Sequence, residues 1–146
     1  DGDPFASHVY RYFMDQTPER DNIKYSILTN GLMFKEFHHR VPYVIKNLNE
    51  LGVSIDGASK ETYEKLRLGG RWNKILEGLE FMAEQKQKHG FRFVLYFVVQ
   101  KDNYHEMEDI VIHSQIESNF YFYNNFSLAI FLHNFCNNRT VSQFLF

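Results

Sequence analysis

The sequence predicts an α/β fold in which parallel β-strands alternate with α-helices. Runs rich in β-branched, aliphatic and aromatic residues at positions 24–29, 52–56 and 91–99 have strand character. Each run is followed by a segment whose apolar residues recur at spacings of three and four, as they do in amphipathic helices. This alternation is typical of βαβ units, whose right-handed crossovers set successive strands side by side.

The first third of the chain is predicted to contain a helix, a strand and a helical return. Residues 8–16 have helical apolar spacing and follow Ser7, a suitable N-cap. Residues 24–29 form the first strand, which Asn30-Gly31 ends in a turn. The spacing over residues 32–49 predicts one or two helices that return the chain to the next strand.

The middle of the chain is predicted to hold a second strand, at residues 52–56, followed by two helices. Ser59 is a suitable N-cap for the first helix. The second helix spans about 72–89 and ends at Gly90. Its apolar stripe is typical of a helix face turned to the core rather than of a cofactor site: Ile75, Leu76, Leu79 and Met82.

The last part of the chain begins with a third strand and then loses its regular pattern. Residues 91–99 are apolar at both alternations, which predicts a strand covered on both faces. A helix is expected over 104–114, and residues 120–123 are a candidate strand. Beyond about residue 118 there is no clear periodicity, so an irregular tail is expected. It is either a divergent strand and helix or the product of a disrupted reading frame.

Composition and charge narrow the possible functions. The chain has 146 residues, a net charge of −2 and a single cysteine, Cys136. Acidic and basic residues are interspersed, so we expect neither a nucleic-acid surface nor a nucleic-acid partner. No apolar run is long enough to cross a bilayer, so we expect a cytoplasmic protein without a membrane partner. One cysteine excludes an intrachain disulfide and an iron–sulfur cluster held by three cysteines of this chain.

The segment from Val53 to Ser59 is the most informative in the sequence. It runs from a strand into small polar residues and a helix, and Arg67 and a glycine turn follow. In parallel α/β barrels, ligand groups lie at such strand ends. Taken in order with Gly2-Asp3-Pro4 and with Thr29-Asn30-Gly31, the segment resembles the radical S-adenosylmethionine enzymes. The resemblance is closest to the branch whose members often carry an additional SPASM or Twitch module.

The resemblance implies a fold, a cofactor and a reaction class. The expected fold is a partial (β/α)6 TIM-like barrel, incomplete at the N-terminus, over residues 1–118, with residues 119–146 as the tail. The expected cofactors of the full-length enzyme are S-adenosylmethionine and a [4Fe-4S] cluster. Together they generate a 5'-deoxyadenosyl radical that modifies a peptide or a small molecule. The cofactors supply the radical chemistry and the protein supplies their geometry.

The resemblance also assigns cofactor-binding residues. Gly2, Asp3 and Pro4 occupy the position of the family's ammonium-binding loop, and an ammonium needs acceptors because it offers only donors. Ser54 and Arg67 are expected to meet the methionyl carboxylate, which suits a planar guanidinium.

Each assignment has an alternative that involves no ligand. Asp3-Pro4 is also a common turn, and Arg67 is spaced to pair with Glu61 or Glu64 on its own helix. Asp56 either faces the cofactor or substrate or only caps the next helix.

Three further residues follow predicted strands and are candidates for the substrate side of the same mouth: Asn30, Gln100 and Asn103. No histidine pair with an accompanying carboxylate has the spacing of a metal site, so we expect none. The family's Cys-x3-Cys-x2-Cys loop does not occur in the chain. We therefore expect an internal fragment of an enzyme's catalytic barrel, inactive alone. A non-catalytic α/β binding or interaction module is the alternative.

Overall fold

The computed structural model describes residues 2–17, 22–110, 127–132 and 141–145. These residues form a mixed α/β structure around one sheet, as the sequence predicts. The strands are β1 (Tyr25–Thr29), β2 (Leu48–Ser54), β3 (Arg92–Val99), β4 (Ser127–Leu132) and β5 (Val141–Leu145). The helices are α1 (His8–Asp15), α2 (Phe34–Phe37), α3 (Pro42–Lys46), α4 (Lys60–Leu66) and α5 (Trp72–His89), with 3-10 turns at His38–Arg40 and Tyr104–Glu106.

The helix ends follow the local signals in the sequence. The Ser7 hydroxyl accepts a hydrogen bond from the backbone N–H of Tyr10 at 3.4 Å and caps α1. Ser59 caps α4 in the same way, through the backbone N–H of Thr62 at 3.2 Å. Gly90 ends α5 in the left-handed region, at φ 75°. The predicted caps and the bounds of α5 are confirmed.

The sheet has the strand order β1-β2-β3-β4-β5. Strands β1 to β4 are parallel, and β5 runs antiparallel to β4. The register pairs Thr29 with Val53 and Ser54 with Tyr96, so β1, β2 and β3 end at the same edge. Within the described residues the sheet is open rather than closed into a barrel.

Several elements differ from the prediction. Strand β2 begins at Leu48, four residues early, because its first residues pair with Tyr25 of β1. It ends at Ser54, and Asp56 takes a left-handed conformation at φ 50°. The tail expected to be irregular contains β4 and β5. Neither segment has the alternation of a half-buried strand, and sequences without it do not separate strand from helix. The candidate strand at 120–123 and the end of the helix expected over 104–114 lie outside the described residues.

One face of the sheet is covered by helices and forms the core. Ile75, Leu79 and Met82 of α5 are buried in one cluster with side chains of β2 and β3. Leu76, assigned to the same stripe by the sequence, is only half-buried. The stripe is therefore core, as predicted, and it fixes which strand residues face away from the helices.

The opposite face of the sheet is partly open. Leu28 is 57% exposed, and Tyr96 and Val98 are half-buried. Ser54 and Gly52 lie on this face as well, because alternate residues of β2 share a side. A depression of about 330 Å³ lies over these residues. The two-sided cover predicted for β3 is thus only partial within the described residues.

Candidate functional site

The junction between β2 and α4 is the centre of the candidate site. Asp56 follows β2 with a positive φ, a conformation uncommon outside glycine. Gly57 comes next, and a Cβ on it would lie 2.6 Å from the backbone nitrogen of Tyr63. The close approach of strand end and helix therefore requires glycine at position 57. The same close approach places the Asp56 carboxylate within hydrogen-bonding distance of Arg67, at the end of α4.

Asp56 is held by two groups on neighbouring elements. Its Oδ2 accepts a hydrogen bond from Arg67 Nη2 at 2.6 Å, and its Oδ1 accepts one from the backbone N–H of Val98 at 2.9 Å. The two side chains of the ion pair are 12% and 29% exposed, so water screens the pair only partly. The carboxylate links α4 to the end of β3.

Arg67 retains unused hydrogen-bonding capacity. The spacing on α4 suggested a pair with Glu61 or Glu64, yet Arg67 pairs with Asp56, and Glu64 accepts from the backbone N–H of Trp72 at 2.9 Å. The Nε of Arg67 is buried and has no hydrogen-bond partner among the described residues. An unpaired buried donor is costly, so Nε lacks a contact that buried polar groups in folded proteins usually have.

Asn103 joins the ends of β2 and β3. Its Nδ2 donates to the carbonyl oxygens of Asp56 at 3.0 Å and Val98 at 2.9 Å. Its Oδ1 accepts from the backbone N–H of Gln100 at 2.7 Å, and the residue is fully buried. Both N–H donors of the Asn103 amide and its oxygen are thus hydrogen-bonded within the protein. Asn103, expected on the substrate side, is a structural clamp here, while Gln100 forms the turn that it closes.

Asp3 organises the N-terminal loop against the end of β1. Its Oδ1 accepts from the backbone N–H groups of Phe5 and Ala6 at 3.0 and 3.2 Å. Its Oδ2 accepts from the Thr29 hydroxyl at 2.5 Å and from the backbone N–H of Asn30 at 2.6 Å. These four bonds place Gly2, Asp3 and Pro4 beside the carboxyl end of β1. They also occupy the carboxylate that the sequence assigns to an ammonium.

The two remaining predicted residues, Asn30 and Ser54, lie in the turn after β1 and at the end of β2. Asn30 Oδ1 accepts from the backbone N–H of Leu32 at 3.0 Å and shapes the turn after β1. Ser54 lies half-buried on the open sheet face beside Tyr96, its neighbour on β3. The structure thus joins Asp56, Arg67 and Asn103 in one network. Asp3 and Asn30 belong to a second, and no hydrogen bond or ion pair within the described residues joins the two.

Tyr96 also binds a carboxylate on the open face. Its hydroxyl donates to Glu50 Oε1 at 3.0 Å, and Arg92 pairs with Glu50 Oε2 at 3.0 Å. Burial and the bond to Glu50 raise the pKa of Tyr96 above its ordinary value of 10.0. The hydroxyl is therefore a neutral hydrogen-bond donor at physiological pH.

Glu106 was missed in the sequence and is the most constrained carboxylate near the junction. It is 5% exposed and accepts from the Ala58 N–H at 2.6 Å and from the Ser59 hydroxyl. Burial on its own raises the pKa of this carboxyl. Hydrogen bonds from Ser59, Thr62 and the backbone outweigh it and hold the pKa below the ordinary 4.5. The ionised Glu106 fixes the start of α4, and nothing in the local sequence indicates that contact.

We expect Glu106→Gln to lower the free energy of unfolding by about 1–3 kcal/mol at pH 7, because a charge-assisted acceptor is lost from a buried position. A carboxyl whose folded pKa is depressed stabilises above its unfolded pKa, and that contribution is lost as pH falls through the folded pKa. The difference between wild type and variant should therefore shrink below about pH 4.5. Urea unfolding at several pH values measures it, with the exposed Glu108→Gln as the control. A difference independent of pH would contradict this role for the charge.

No metal or membrane feature emerges from the described part of the chain. Within ranges 2–17, 22–110, 127–132 and 141–145, no group of three or more His, Cys, Asp or Glu side chains is placed to hold a metal ion. Cys136 lies outside those ranges. Of the described helices, none is both long and apolar enough to cross a membrane.

Comparison with known proteins adds no relative to this picture: no family model matches the chain, and no curated protein matches its sequence.

Proposed function

We propose that this chain supplies the S-adenosylmethionine-binding part of a radical S-adenosylmethionine enzyme, with the cofactor's methionyl carboxylate received by Arg67 and Ser54. The observation that carries the proposal is the buried Arg67 Nε, which has no hydrogen-bond partner among the described residues. It belongs to a guanidinium at the end of α4 that is bound to Asp56, just past the end of β2. Asp56 holds one Nη of the same guanidinium and leaves other donors for a second carboxylate. Arginine recognises carboxylates through two parallel N–H donors, so this arrangement suits the methionyl group.

The polar groups that support the proposal lie at one edge of the parallel sheet. Ser54, Asp56 and the loop after β3 follow strand ends that are aligned by register, and Asp3 is tied to the end of β1. Open α/β sheets and barrels bind ligands at this edge. The Asp3 carboxylate is committed to its own loop, and the Asp3 carbonyl oxygen accepts from the backbone N–H groups of Ala6 and Ser7. The backbone carbonyls of Gly2 and Pro4 are therefore the better candidates for the ammonium.

The finer fold is part of the same proposal. In a (β/α)6 barrel the helices cover the outside of the sheet, and the other face lines the interior. The helix-covered core and the open face carrying Ser54, Tyr96 and Leu28 are consistent with such a wall. The open face then lines the substrate cavity, and the substrate is a peptide or a small molecule.

The iron–sulfur cluster does not fit the residues of this chain. Clusters of this kind are held by several thiolates, and the sequence contains only Cys136. The residues of this chain therefore have no part in holding the cluster. Their role is to bind and orient the methionyl group, which the cofactor chemistry of the enzyme requires.

Binding of S-adenosylmethionine tests the proposal directly. We expect saturable NMR shift changes around Ser54, Asp56 and Arg67 on titration, with affinity lowered roughly tenfold in Arg67→Gln. Ser54→Ala is the second variant, since Ser54 is half-buried and its loss should leave the fold intact. The exposed Arg71→Gln is the matched control. Absence of saturable binding to about 10 mM, or binding unchanged in both site variants, would refute the assignment.

A non-catalytic α/β interaction module is the alternative, and one observation favours it. Asp3 and Asn103 use both polar atoms of their side chains within the protein, and Asn30 uses its Oδ1 there, as purely structural residues do. This reading predicts that S-adenosylmethionine neither binds nor raises the melting temperature. A ligand that binds only the folded state raises that temperature, so thermal unfolding separates the two functions.

A further inference from the structure

We propose that a pocket between α1 and the His38–Arg40 turn binds a small anion attached to an aromatic or other flat apolar body. The pocket has a volume of about 520 Å³, within the range of small-molecule sites. Its lining combines cationic and aromatic side chains: Phe5, His8, Arg11, Tyr12, Phe37 and Arg40. The proposed ligand follows from those two kinds of group.

Two arginines converge on one aromatic ring in this pocket. The guanidinium carbon of Arg11 lies 4.1 Å from the centroid of the Phe37 ring, and that of Arg40 lies 5.1 Å from it. A guanidinium stacked on a ring keeps its N–H donors in its own plane, available to a second partner. Neither arginine forms an ion pair with a carboxylate among the described residues. Two unneutralised guanidiniums so placed favour an anion, above all a phosphate or carboxylate.

His8 adds a third donor to the same wall. Arg11 Nη2 lies 3.0 Å from His8 Nδ1, and a guanidinium can only donate, so Nδ1 is the acceptor. With Nδ1 accepting, the ring N–H is at Nε2, where it can donate to another group. Asp15 is the one carboxylate among the described residues that line the pocket, and its charge opposes an anion, which provides a sensitive test.

Aromatic surface sets the rest of the ligand's character. Phe5 is fully buried and makes an edge contact with Phe34 at 5.0 Å, so this wall is rigid. Tyr12 is 69% exposed at the rim. An apolar planar body packed on the exposed Tyr12 ring would be partly desolvated, whereas a bare inorganic ion would leave most of the pocket to water. The ligand class is therefore an aryl phosphate or aryl carboxylate.

Phenyl phosphate is the probe, with inorganic phosphate as its comparison. We expect phenyl phosphate to bind the full chain saturably, as monitored by changes in the NMR chemical shifts of α1 and Phe37. Inorganic phosphate should bind roughly tenfold more weakly. Arg11→Gln and Arg40→Gln should each lower the affinity roughly tenfold, and Asp15→Asn should raise it a few-fold, about threefold. Circular dichroism establishes that each variant is folded.

Arg71→Gln and Arg67→Gln are the controls and should leave phenyl phosphate affinity unchanged. Arg11→Gln and Arg40→Gln should likewise leave S-adenosylmethionine affinity unchanged, so this inference and the proposed function fail independently. No saturable binding to about 10 mM would overturn the site, as would affinity unchanged in both arginine variants. Equal affinity for phenyl phosphate and inorganic phosphate would overturn the aromatic part of the assignment.

Discussion

Gly57→Ala should lower the free energy of unfolding by about 2–4 kcal/mol, because the added methyl group has no space between β2 and α4. The new Cβ would lie 2.6 Å from the backbone nitrogen of Tyr63 and 2.8 Å from its Cα. Both atoms belong to the helix backbone, so no side-chain rotation relieves the overlap. The helix itself must move, and Tyr63, which is 1% exposed, must move with it. The shift of the urea midpoint measures the loss.

Gly2→Ala is the matched control for this substitution. A Cβ at Gly2 has Ser7 Cβ as its nearest heavy neighbour at 4.0 Å, an ordinary contact distance. Neither Gly2 nor Gly57 has a positive φ, so the two variants differ in the space available and not in backbone strain. Equal stability of the two variants would show that α4 yields easily. The Asp56–Arg67 pair would then not depend on the close approach at Gly57.

Displacement of α4 also has a consequence for the candidate site. Arg67 follows the last residue of α4, and its ion pair with Asp56 spans the gap that Gly57 keeps narrow. A folded Gly57→Ala chain should therefore bind S-adenosylmethionine more weakly than wild type under the proposed function. Substitution of Gly57 should therefore affect both the free energy of unfolding and the position of the Arg67 guanidinium.

The sequence predicted those features whose physical cause is local. Ser7 and Ser59 cap helices through N–H groups three residues away, and Gly90 ends α5 by its own backbone conformation. Such signals lie within one turn of the chain and do not depend on the rest of the fold. The strand and helix order followed from them together with apolar periodicity.

Partners distant in sequence could not be read in the same way. Asp56 binds Val98, 42 residues away, and Ala58 binds Glu106, 48 residues away. A carboxylate after a strand can bind a ligand or tie two elements together, and local spacing is the same in both cases. The partner of such a carboxylate depends on which donors the fold brings near it. In the same way, Arg67 pairs with Asp56 and not with the glutamates spaced to reach it on α4.

The tail shows a different limit of sequence pattern. Strand β4 is an apolar run without alternation, and β5 mixes apolar and polar residues without a period of two. A strand whose two faces are both covered needs no polar face, so its sequence has no period of two. A buried helix can show the same run of residues. Pairing with β3, rather than any property of the segment alone, identifies β4 as a strand.

Asn103→Ala should lower the free energy of unfolding by about 3 kcal/mol, since three buried or partly buried backbone groups lose their partner. Asn103→Asp should cost more. It keeps the acceptor for Gln100 but turns a negatively charged oxygen toward the carbonyl oxygens of Asp56 and Val98. Urea unfolding measures both losses. The matched control is Asn73→Ala, at an exposed position in the first turn of α5, where alanine is at least as favourable.

Amide hydrogen exchange distinguishes the clamp from a general contribution of Asn103 to the core. If the side chain holds the ends of β2 and β3 together, its removal should speed exchange at Val98 N–H, which donates to Asp56. Exchange at amides in the middle of β3, such as that of Leu95, should then change only as much as the free energy of global unfolding requires. An equal increase in exchange rate along all of β3 would contradict the clamp, because the substitution would then have lowered global stability and not the stability of the strand ends. Local acceleration would establish that the geometry around Asp56 and Arg67 depends on a residue that need not touch any ligand.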